Sequence, residues 1–291
     1  MPEITAELVR TLIAAQFPQW SGLPIVPVER QGWDNRTFRL GDELAVRLPS
    51  GESYAAAVAK EDRWLPVLAK ALPLPVPEVV ATGRPGGGYP FPWSVRRWMS
   101  GETLADAHGV DRTALARDLG AFLTALRAVP ATRGPAAGRH CYWRGCHPSV
   151  YGDQVQDALV TLEDEVDAAA CEDVWARALT SAWPQAPVWF HGDVAAGNLL
   201  AAGGGLSAVI DFGTCGVGDP ACDLVMAWTY FEGHERQVFR EAAGLSDDTW
   251  RRARGWALWK ALATMGGLSS PDPDGFQNRV LAEVLADPVV D

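Results

Sequence analysis

The pattern of hydrophobic and polar positions divides the chain into a region of short strands and a region of long helices. Before Ser100-Gly101, short apolar or alternating runs lie between turn-forming residues, which is typical of β-strands. Gly41-Asp42 joins two of these runs as a hairpin, and a Gly- and Pro-rich stretch over residues 83–92 separates two others. The predicted strands cover residues 37–40, 44–48, 79–82 and 93–99.

One helix is predicted inside this β-rich region, between the second and third strands. Ser53 is a suitable N-cap residue, and helical spacing of apolar residues continues to Leu68. Pro66 is expected to kink or shorten the last turn, because proline lacks the N–H that a helix uses.

Helical periodicity dominates after Ser100-Gly101. The predicted helices cover residues 113–129, 150–170, 219–231, 247–264 and 275–285, and the one β-rich interruption covers residues 188–211. A β-rich region followed by a helical region predicts an α+β fold with two lobes, residues 1–99 and 100–291. The joint is expected near Met99–Glu102.

Composition limits the possible functions without naming one. The 291 residues include 25 Lys plus Arg against 36 Asp plus Glu, a net charge of −11 that argues against nucleic-acid binding and is compatible with a cationic small-molecule substrate. No apolar run is long enough to span a membrane, and the N-terminus lacks the features of a secretory signal. Five cysteines do not suggest a disulfide framework. We therefore expect a cytoplasmic protein, monomeric or weakly dimeric, without membrane or nucleic-acid partners.

The candidate chemistry lies in the β-rich interruption of the helical region. His191, Asp193 and Asn198 form the pattern H-x-D-x-x-x-x-N, and an apolar strand then leads to Asp211-Phe212-Gly213. The protein-kinase signature has the same order, with Arg where this chain has Gly192. Phosphoryl transfer requires a carboxylate near the attacking hydroxyl and hard oxygen ligands for Mg²⁺, and these residues supply both.

These motifs resemble the aminoglycoside phosphotransferase family, within the choline-kinase-like and protein-kinase-like superfamily. Gly218-Asp219-Pro220 with Asp223-Leu224, and the phrase from Gly32 to Leu40, carry the resemblance further. The resemblance implies a bilobal kinase-like fold, with a β-rich N-terminal lobe that has one key helix and ends in a hinge. It also implies transfer of a γ-phosphoryl group from ATP or GTP, with Mg²⁺, to a hydroxyl of a small molecule bound by the helical lobe.

The resemblance assigns roles to individual residues. Asp193 corresponds to the catalytic base, and Asn198 and Asp211 correspond to the Mg²⁺ ligands. Arg47 stands where the family's phosphate-pairing lysine is expected, and its permanent charge suits that role. Glu61 in the predicted helix is the expected ion-pair partner of Arg47.

Further residues are expected at the nucleotide. Trp33 and Asn35 lie in the segment that resembles the family's nucleotide loop. The hinge Arg97-Trp98-Met99 is expected to offer backbone groups to the nucleobase, and Ile210 is expected to pack against its ring.

The acceptor side is less well defined by the sequence. Glu232 and Glu235 are candidates to pair with ammonium groups, and Trp228 and Trp143 are candidates to contact a sugar or a cation. The alternative is that the aromatic residues serve packing and the glutamates are solvated. Asp219 is expected to be an N-cap, and Asp223 is expected to hydrogen-bond the catalytic loop.

Two cysteines and two histidines within one short segment have side chains that suit zinc, namely His140, Cys141, Cys146 and His147. Their spacing lacks the second half of a usual zinc site, so a loop between helices is the favoured interpretation and metal binding stays open.

The sequence therefore predicts a Mg²⁺-dependent kinase whose nucleotide binds between the lobes and whose favoured acceptor is a cationic antibiotic of the aminoglycoside kind. One alternative is a kinase of another acceptor, such as a macrolide, a peptide antibiotic, a sugar, an amino alcohol or a homoserine-like metabolite. A second alternative is a nucleotide-binding module without transferase activity.

Overall fold

The computed structural model describes residues 3–269 and 271–287, and it confirms the predicted α+β organisation. The chain divides into two compact units. The first contains the residues up to Glu102 together with Ser207–Gly213, and the second contains Thr103–Leu206 together with the residues from Thr214 onward. The segment Ser207–Gly213, which the sequence-based boundary placed in the C-terminal lobe, is attached to the first unit by a bond of 3.1 Å from the Val209 N–H to the Pro75 carbonyl.

The first unit is built on a five-stranded antiparallel sheet in the order β1-β2-β3-β5-β4. Its strands are β1 (Ile25–Pro27), β2 (Asn35–Leu40), β3 (Leu44–Pro49), β4 (Val79–Gly83) and β5 (Trp93–Arg97). The four predicted strands are confirmed, although β5 ends at Arg97 instead of Met99. The predicted hairpin is also present, with Leu40 opposite Leu44 in the register.

The first unit has two helices, α1 (Ala6–Gln16) and α2 (Glu52–Leu68), so the expectation of one helix is wrong. α1 begins after Thr5, whose side chain accepts a hydrogen bond from the Leu8 N–H. It buries Val9, Leu12 and Ile13 in the same core as the sheet residues Phe38, Val46 and Val95. A short amphipathic segment at the chain start is helical because the sheet supplies a surface to bury its apolar face.

The key helix α2 begins at Glu52, one residue before the predicted cap, so Ser53 is not the N-cap. Gly51 holds that position, with extended backbone and no side-chain bond. Pro66 lies inside the helix, which continues to Leu68. Burial of Val58, Leu65 and Leu68 along one face of α2 outweighs the hydrogen bond lost at the proline.

The second unit is mainly helical. Its strands and the strands at its boundary are β6 (Glu102–Thr103), β7 (Val188–Phe190), β8 (Leu199–Ala202), β9 (Gly205–Val209) and β10 (Gly216–Gly218). Its helices are α3 (Arg112–Ala128), α4 (Gly152–Thr161), α5 (Ala168–Ala178), α6 (Met226–Thr229), α7 (Gly233–Ala243), α8 (Asp247–Met265) and α9 (Phe276–Ala286). In the described part of the chain, no helix is both long enough and apolar enough to cross a membrane.

Two predicted helices differ from the observed ones. Residues 150–170 do not form one helix, because Asp167 caps a new helix, α5, by accepting a bond of 3.0 Å from the Ala170 N–H. The segment predicted over 219–231 is a 3₁₀ turn over Pro220–Leu224 followed by α6. α7 was not predicted, and its polar sequence packs mainly through Phe239 and Ala243.

Close packing of α3 on α7 requires glycine at position 120. A Cβ on Gly120 would lie 2.5 Å from the Cβ of Ala242 and 2.9 Å from backbone atoms of that helix. Gly120→Ala is therefore expected to destabilise the protein by about 1–3 kcal/mol, because overpacking outweighs the better helix propensity of alanine. Denaturant unfolding measures this change.

Gly152→Ala is the matched control for this prediction, since Gly152 also lies in a helix and a Cβ there meets nothing within 4 Å. Equal stability of the two variants would contradict the packing argument.

Candidate active site

A chain of four charged side chains runs through the first unit. The Glu61 carboxylate on α2 is 2% exposed and accepts two hydrogen bonds from Arg96 on β5, at 3.0 and 2.8 Å. Arg47 on β3 donates to the same carboxylate at 3.4 Å and to Asp211 Oδ1 at 2.9 Å. The order of contacts is Arg96, Glu61, Arg47, Asp211, with opposite charges alternating.

Strand register explains how the two arginines reach one carboxylate. β3 and β5 are antiparallel neighbours in which Arg47 lies opposite Ser94. Arg96 is two residues from Ser94, so it shares a face of the sheet with Arg47. The Nε of Arg96 also donates to Ser94 Oγ at 3.0 Å, which fixes the guanidinium.

The predicted pair of Arg47 with Glu61 is present, but Arg96 is the closer partner of Glu61. Sequence reasoning missed Arg96. The available signal was an arginine within a strand of otherwise buried residues, since Trp93, Ser94 and Val95 are all fully buried. Such an arginine requires a buried acid, and only the tertiary fold shows which one.

The charges of these four contacting side chains stabilise one another. Burial alone would raise the pKa of Glu61, but Arg96 and Arg47 outweigh it and lower that pKa from 4.5 to about 2. Burial would lower the pKa of Arg47, whereas Asp211 and Glu61 raise it above its ordinary value. Arg47 is thus a permanent cation held between two carboxylates.

Asp211 has a left-handed backbone, with φ of 64°. This conformation is uncommon for a residue with a side chain, and it often marks a functional position. Its carboxylate is partly exposed, and only Oδ1 takes part in the bond to Arg47.

The loop after β7 carries the exposed carboxylate of Asp193 in the second unit. Nδ2 of Asn198 donates to the Asp193 carbonyl at 2.9 Å and to its Oδ2 at 2.8 Å, so these two predicted residues are in direct contact. Gly192 has φ of 86°, and a Cβ there would lie 2.8 Å from the Thr214 carbonyl oxygen. Glycine is therefore required immediately before Asp193.

Asp223 forms hydrogen bonds to the loop that carries Asp193, as predicted. Its buried carboxylate accepts hydrogen bonds from the backbone N–H groups of His191 and Gly192, each at 2.7 Å. Asp219 is the predicted cap and accepts a bond of 3.0 Å from the Ala221 N–H. Arg252, fully buried on α8, donates to Asp219 at 2.6 Å.

The predicted nucleotide residues of the first unit lie around the sheet. Asn35 begins β2, Trp33 precedes it with 71% of its surface exposed, and Ile210 is half-buried. At the predicted hinge, the Arg97 and Trp98 N–H groups donate to the carbonyls of Glu78 and Glu43, at 2.9 and 2.7 Å. Two of the three hinge N–H groups are therefore already used in hydrogen bonds within the first unit.

A pocket of about 220 Å³ opens beside Asp193 within the second unit. Its charged and aromatic lining consists of Arg144, Asp193, Trp256, Trp259, Lys260 and Phe276. The tryptophans come from α8, and both are buried, with 2% and 7% of their surface exposed. We refer to this cavity as the Asp193 pocket.

The residues predicted for the acceptor do not line the Asp193 pocket. Trp228 is 3% exposed and its Nε1 donates to Asp287 Oδ2 at 2.8 Å, which makes it a packing residue. Glu232 is the N-cap of α7, and Glu235 accepts a bond from Arg112 at 2.8 Å. Trp143 is 46% exposed, and its neighbour Arg144 reaches the pocket instead. Secondary-structure boundaries and capping, which were unknown from the sequence, redirected these side chains.

The side chains of His140, Cys141 and His147 contact the protein backbone. His140 Nε2 lies 2.8 Å from the Ala136 carbonyl, and His147 Nε2 lies 3.1 Å from the Ser181 carbonyl. Cys141 Sγ lies 3.1 Å from the Gly138 carbonyl. Across residues 3–269 and 271–287, no group of three or more His, Cys, Asp or Glu side chains is placed to hold a metal ion.

The antiparallel sheet of the first unit and the helical second unit define a protein-kinase-like phosphotransferase fold. Residues 26–256 match the family described as the phosphotransferase enzyme family. The match covers more than half of the chain, so the chain belongs to this family and the predicted family and enzyme class are confirmed. The comparison with curated protein sequences found no significant match.

Solved structures with similar folds confirm the predicted fold class. The GDP complex of wild-type aminoglycoside 2'-phosphotransferase-IIIa has a TM-score of 0.72 at 20% identity, covering 97% of this chain and 99% of that chain. The GDP and kanamycin complex of APH(2")-IIIa has a TM-score of 0.70 at 19% identity, with coverage of 94% and 96%. A macrolide 2'-phosphotransferase from Brachybacterium faecium, as the apoenzyme, has a TM-score of 0.61 at 22% identity, with coverage of 96% and 97%.

The buried carboxylate of Glu61 predicts a specific loss of stability in acid. Its folded pKa of about 2 lies below the ordinary value of 4.5, so its contribution is complete above pH 4.5 and is lost as the pH falls towards 2. Glu61→Gln should remove this contribution and destabilise the neutral-pH protein by about 3–5 kcal/mol, because two buried arginines lose their carboxylate. Unfolding free energies measured across this pH range test the prediction.

Glu52→Gln, an exposed change on the same helix, is the control and should leave the acid profile unchanged. If the unfolding free energies of wild type and Glu61→Gln changed with pH in the same way, the ionised Glu61 carboxylate would not contribute to stability.

Proposed function

We propose that this chain transfers the γ-phosphoryl group of ATP or GTP to a hydroxyl of a small-molecule antibiotic of the aminoglycoside kind. The observation that carries the proposal is the exposed carboxylate of Asp193, fixed by Asn198 and placed at the edge of a pocket. Solved relatives of the same fold include a GDP complex and a GDP and kanamycin complex of aminoglycoside phosphotransferases.

Asp193 is proposed as the catalytic base. It accepts the proton of the acceptor hydroxyl as the hydroxyl oxygen forms a bond to the γ-phosphorus and the bond from that phosphorus to the β,γ-bridging oxygen breaks. The bond from Asn198 fixes the Asp193 carboxylate, and the bonds from His191 and Gly192 to Asp223 fix the loop that carries it. A base held in this way loses little entropy in reaching the reactive geometry.

The nucleotide phosphates are proposed to bind near Arg47, in the first lobe, residues 1–99. The cation is permanently charged, and its contacts to Glu61 and Asp211 set its orientation. Arg96 is a positioning residue in this scheme. It shares the neutralisation of Glu61 with Arg47, and Glu61 in turn orients Arg47. Trp33, Asn35, the hinge around Met99 and Ile210 remain the proposed contacts to the rest of the nucleotide.

Asn198 and Asp211 are proposed to hold Mg²⁺, and their donor chemistry fits that ion. Both hydrogen bonds of Asn198 use Nδ2, so its amide oxygen takes part in neither. The bond from Arg47 uses one oxygen of the Asp211 carboxylate. When bound, Mg²⁺ would neutralise phosphate charge.

A macrolide is the second candidate acceptor, and one specific observation favours it. The Asp193 pocket is lined by Trp256, Trp259 and Phe276, which suit an apolar ligand face. A macrolide 2'-phosphotransferase is among the solved structures of similar fold. The net charge of −11 favours a cationic acceptor only in general terms, because Asp193 is the one acidic residue among the described residues that line this pocket.

Asp193→Ala should abolish phosphotransfer while leaving nucleotide binding nearly intact, since Asp193 is not among the proposed nucleotide contacts. A loss of kcat by a factor of about 10² or more is expected for removal of a catalytic base. Steady-state kinetics and nucleotide titration measure the two properties. Asp153→Ala, a change at the start of α4, is the matched control. Undiminished turnover by Asp193→Ala would refute the mechanism.

Labelled ATP and GTP, offered with an acceptor panel, identify the substrate class. Turnover of kanamycin or another aminoglycoside is the expected result. Turnover of a macrolide with no aminoglycoside turned over would replace the first candidate by the second.

A further inference from the structure

The charge of the Asp193 pocket is opposite to that of the whole chain. Among the described residues that line it, the charged side chains are Arg144, Asp193 and Lys260, so two cations face one carboxylate. The chain as a whole carries a net charge of −11. A cationic acceptor attracted by the negative field of the whole protein therefore meets a locally positive surface beside Asp193.

Arg144 is held in place by aromatic rings. Its guanidinium carbon lies 4.7 Å from the ring centroid of Trp259 and 5.5 Å from that of Trp256. Tyr151 stacks on Trp259 with centroids 3.9 Å apart, so the ring that carries Arg144 is itself supported. The positive charge at this wall of the pocket belongs to an ordered side chain.

Lys260 lies one turn of α8 beyond Trp256, and its Nζ donates to Ser269 Oγ at 2.6 Å. Burial and the nearby Arg144 lower the pKa of Lys260, whereas Asp193 raises it. The ammonium of Lys260 is therefore already in an environment unfavourable to positive charge. A further ammonium group beside it would meet the same penalty.

We propose that the Asp193 pocket takes an uncharged, hydroxyl-bearing ring of the acceptor and that Arg144 and Lys260 exclude ammonium groups from it. Phe276, the least buried aromatic residue of the lining, contacts the ring, and any ammonium groups of the acceptor stay outside the pocket. This selects which end of the acceptor presents its hydroxyl to Asp193, and in that respect the inference rests on the proposed function. Like charges brought together in such a pocket reject a ligand strongly.

Two matched small molecules test this selection directly. Tyrosol and tyramine share a phenol ring and a two-carbon arm, and they differ in ending in a hydroxyl or an ammonium group. Calorimetric titration of the wild-type protein should show tyrosol binding about tenfold or more tightly than tyramine, as expected when a like charge is excluded. Tyramine binding as tightly as tyrosol would overturn the proposal.

Lys260→Glu should reverse or abolish this preference, because the added carboxylate attracts the ammonium group. Lys70→Glu makes the same change at an exposed position on the first unit and should keep the wild-type preference. Lys260→Met, which removes the charge and keeps an unbranched side chain, should show an intermediate ratio. An unchanged ratio in both Lys260 variants would overturn the proposal.

The readout separates this inference from the proposed function, since it measures binding without nucleotide. Preference for tyrosol that depends on Lys260, together with no phosphotransfer to any antibiotic, would refute the proposed function and leave the pocket assignment intact. Phosphotransfer with no tyrosol preference would refute the pocket assignment alone.

Discussion

The burial of Glu61 is the constraint on which the first unit depends. A carboxylate that is almost fully removed from water costs several kcal/mol unless cations accompany it, so α2 is stable beside the sheet only with Arg96 and Arg47 in place. The same requirement fixes the register of β3 against β5, and through Arg47 it holds the Asp211 segment. One buried acid thereby connects a helix, two strands and a proposed metal ligand.

Buried acids also organise the second unit. Asp223 receives the N–H groups of His191 and Gly192, and Asp219 receives the buried guanidinium of Arg252. These bonds hold the loop and its support rigid, which lets Asp193 stay exposed and still keep a defined position. In the first unit, the buried Glu61 orients the partly exposed Asp211 through Arg47. In the second unit, the buried Asp223 holds the loop that carries the exposed Asp193. The proposed chemistry uses the two exposed carboxylates.

The acceptor residues predicted from the sequence do not line the Asp193 pocket. Glu232 and Glu235 are used in helix capping and in the contact to Arg112, and Trp228 packs in the core. Trp259 is 7% exposed and also lines the Asp193 pocket. A helical face can be assigned from spacing, but whether that face meets another element or a cavity depends on long-range packing.

The family resemblance implied the contact between Arg47 and Glu61. The sequence by itself determined the α+β class, four strands of the first unit and the order of the motif residues. These features depend on periodicity and short-range spacing, which a single chain displays. Only the tertiary structure decided that α1 is a helix, that Arg96 is the main partner of Glu61, and that a positive aromatic pocket lies beside Asp193. Those outcomes depend on which distant residues share buried space, and that is set by the packing of the folded chain.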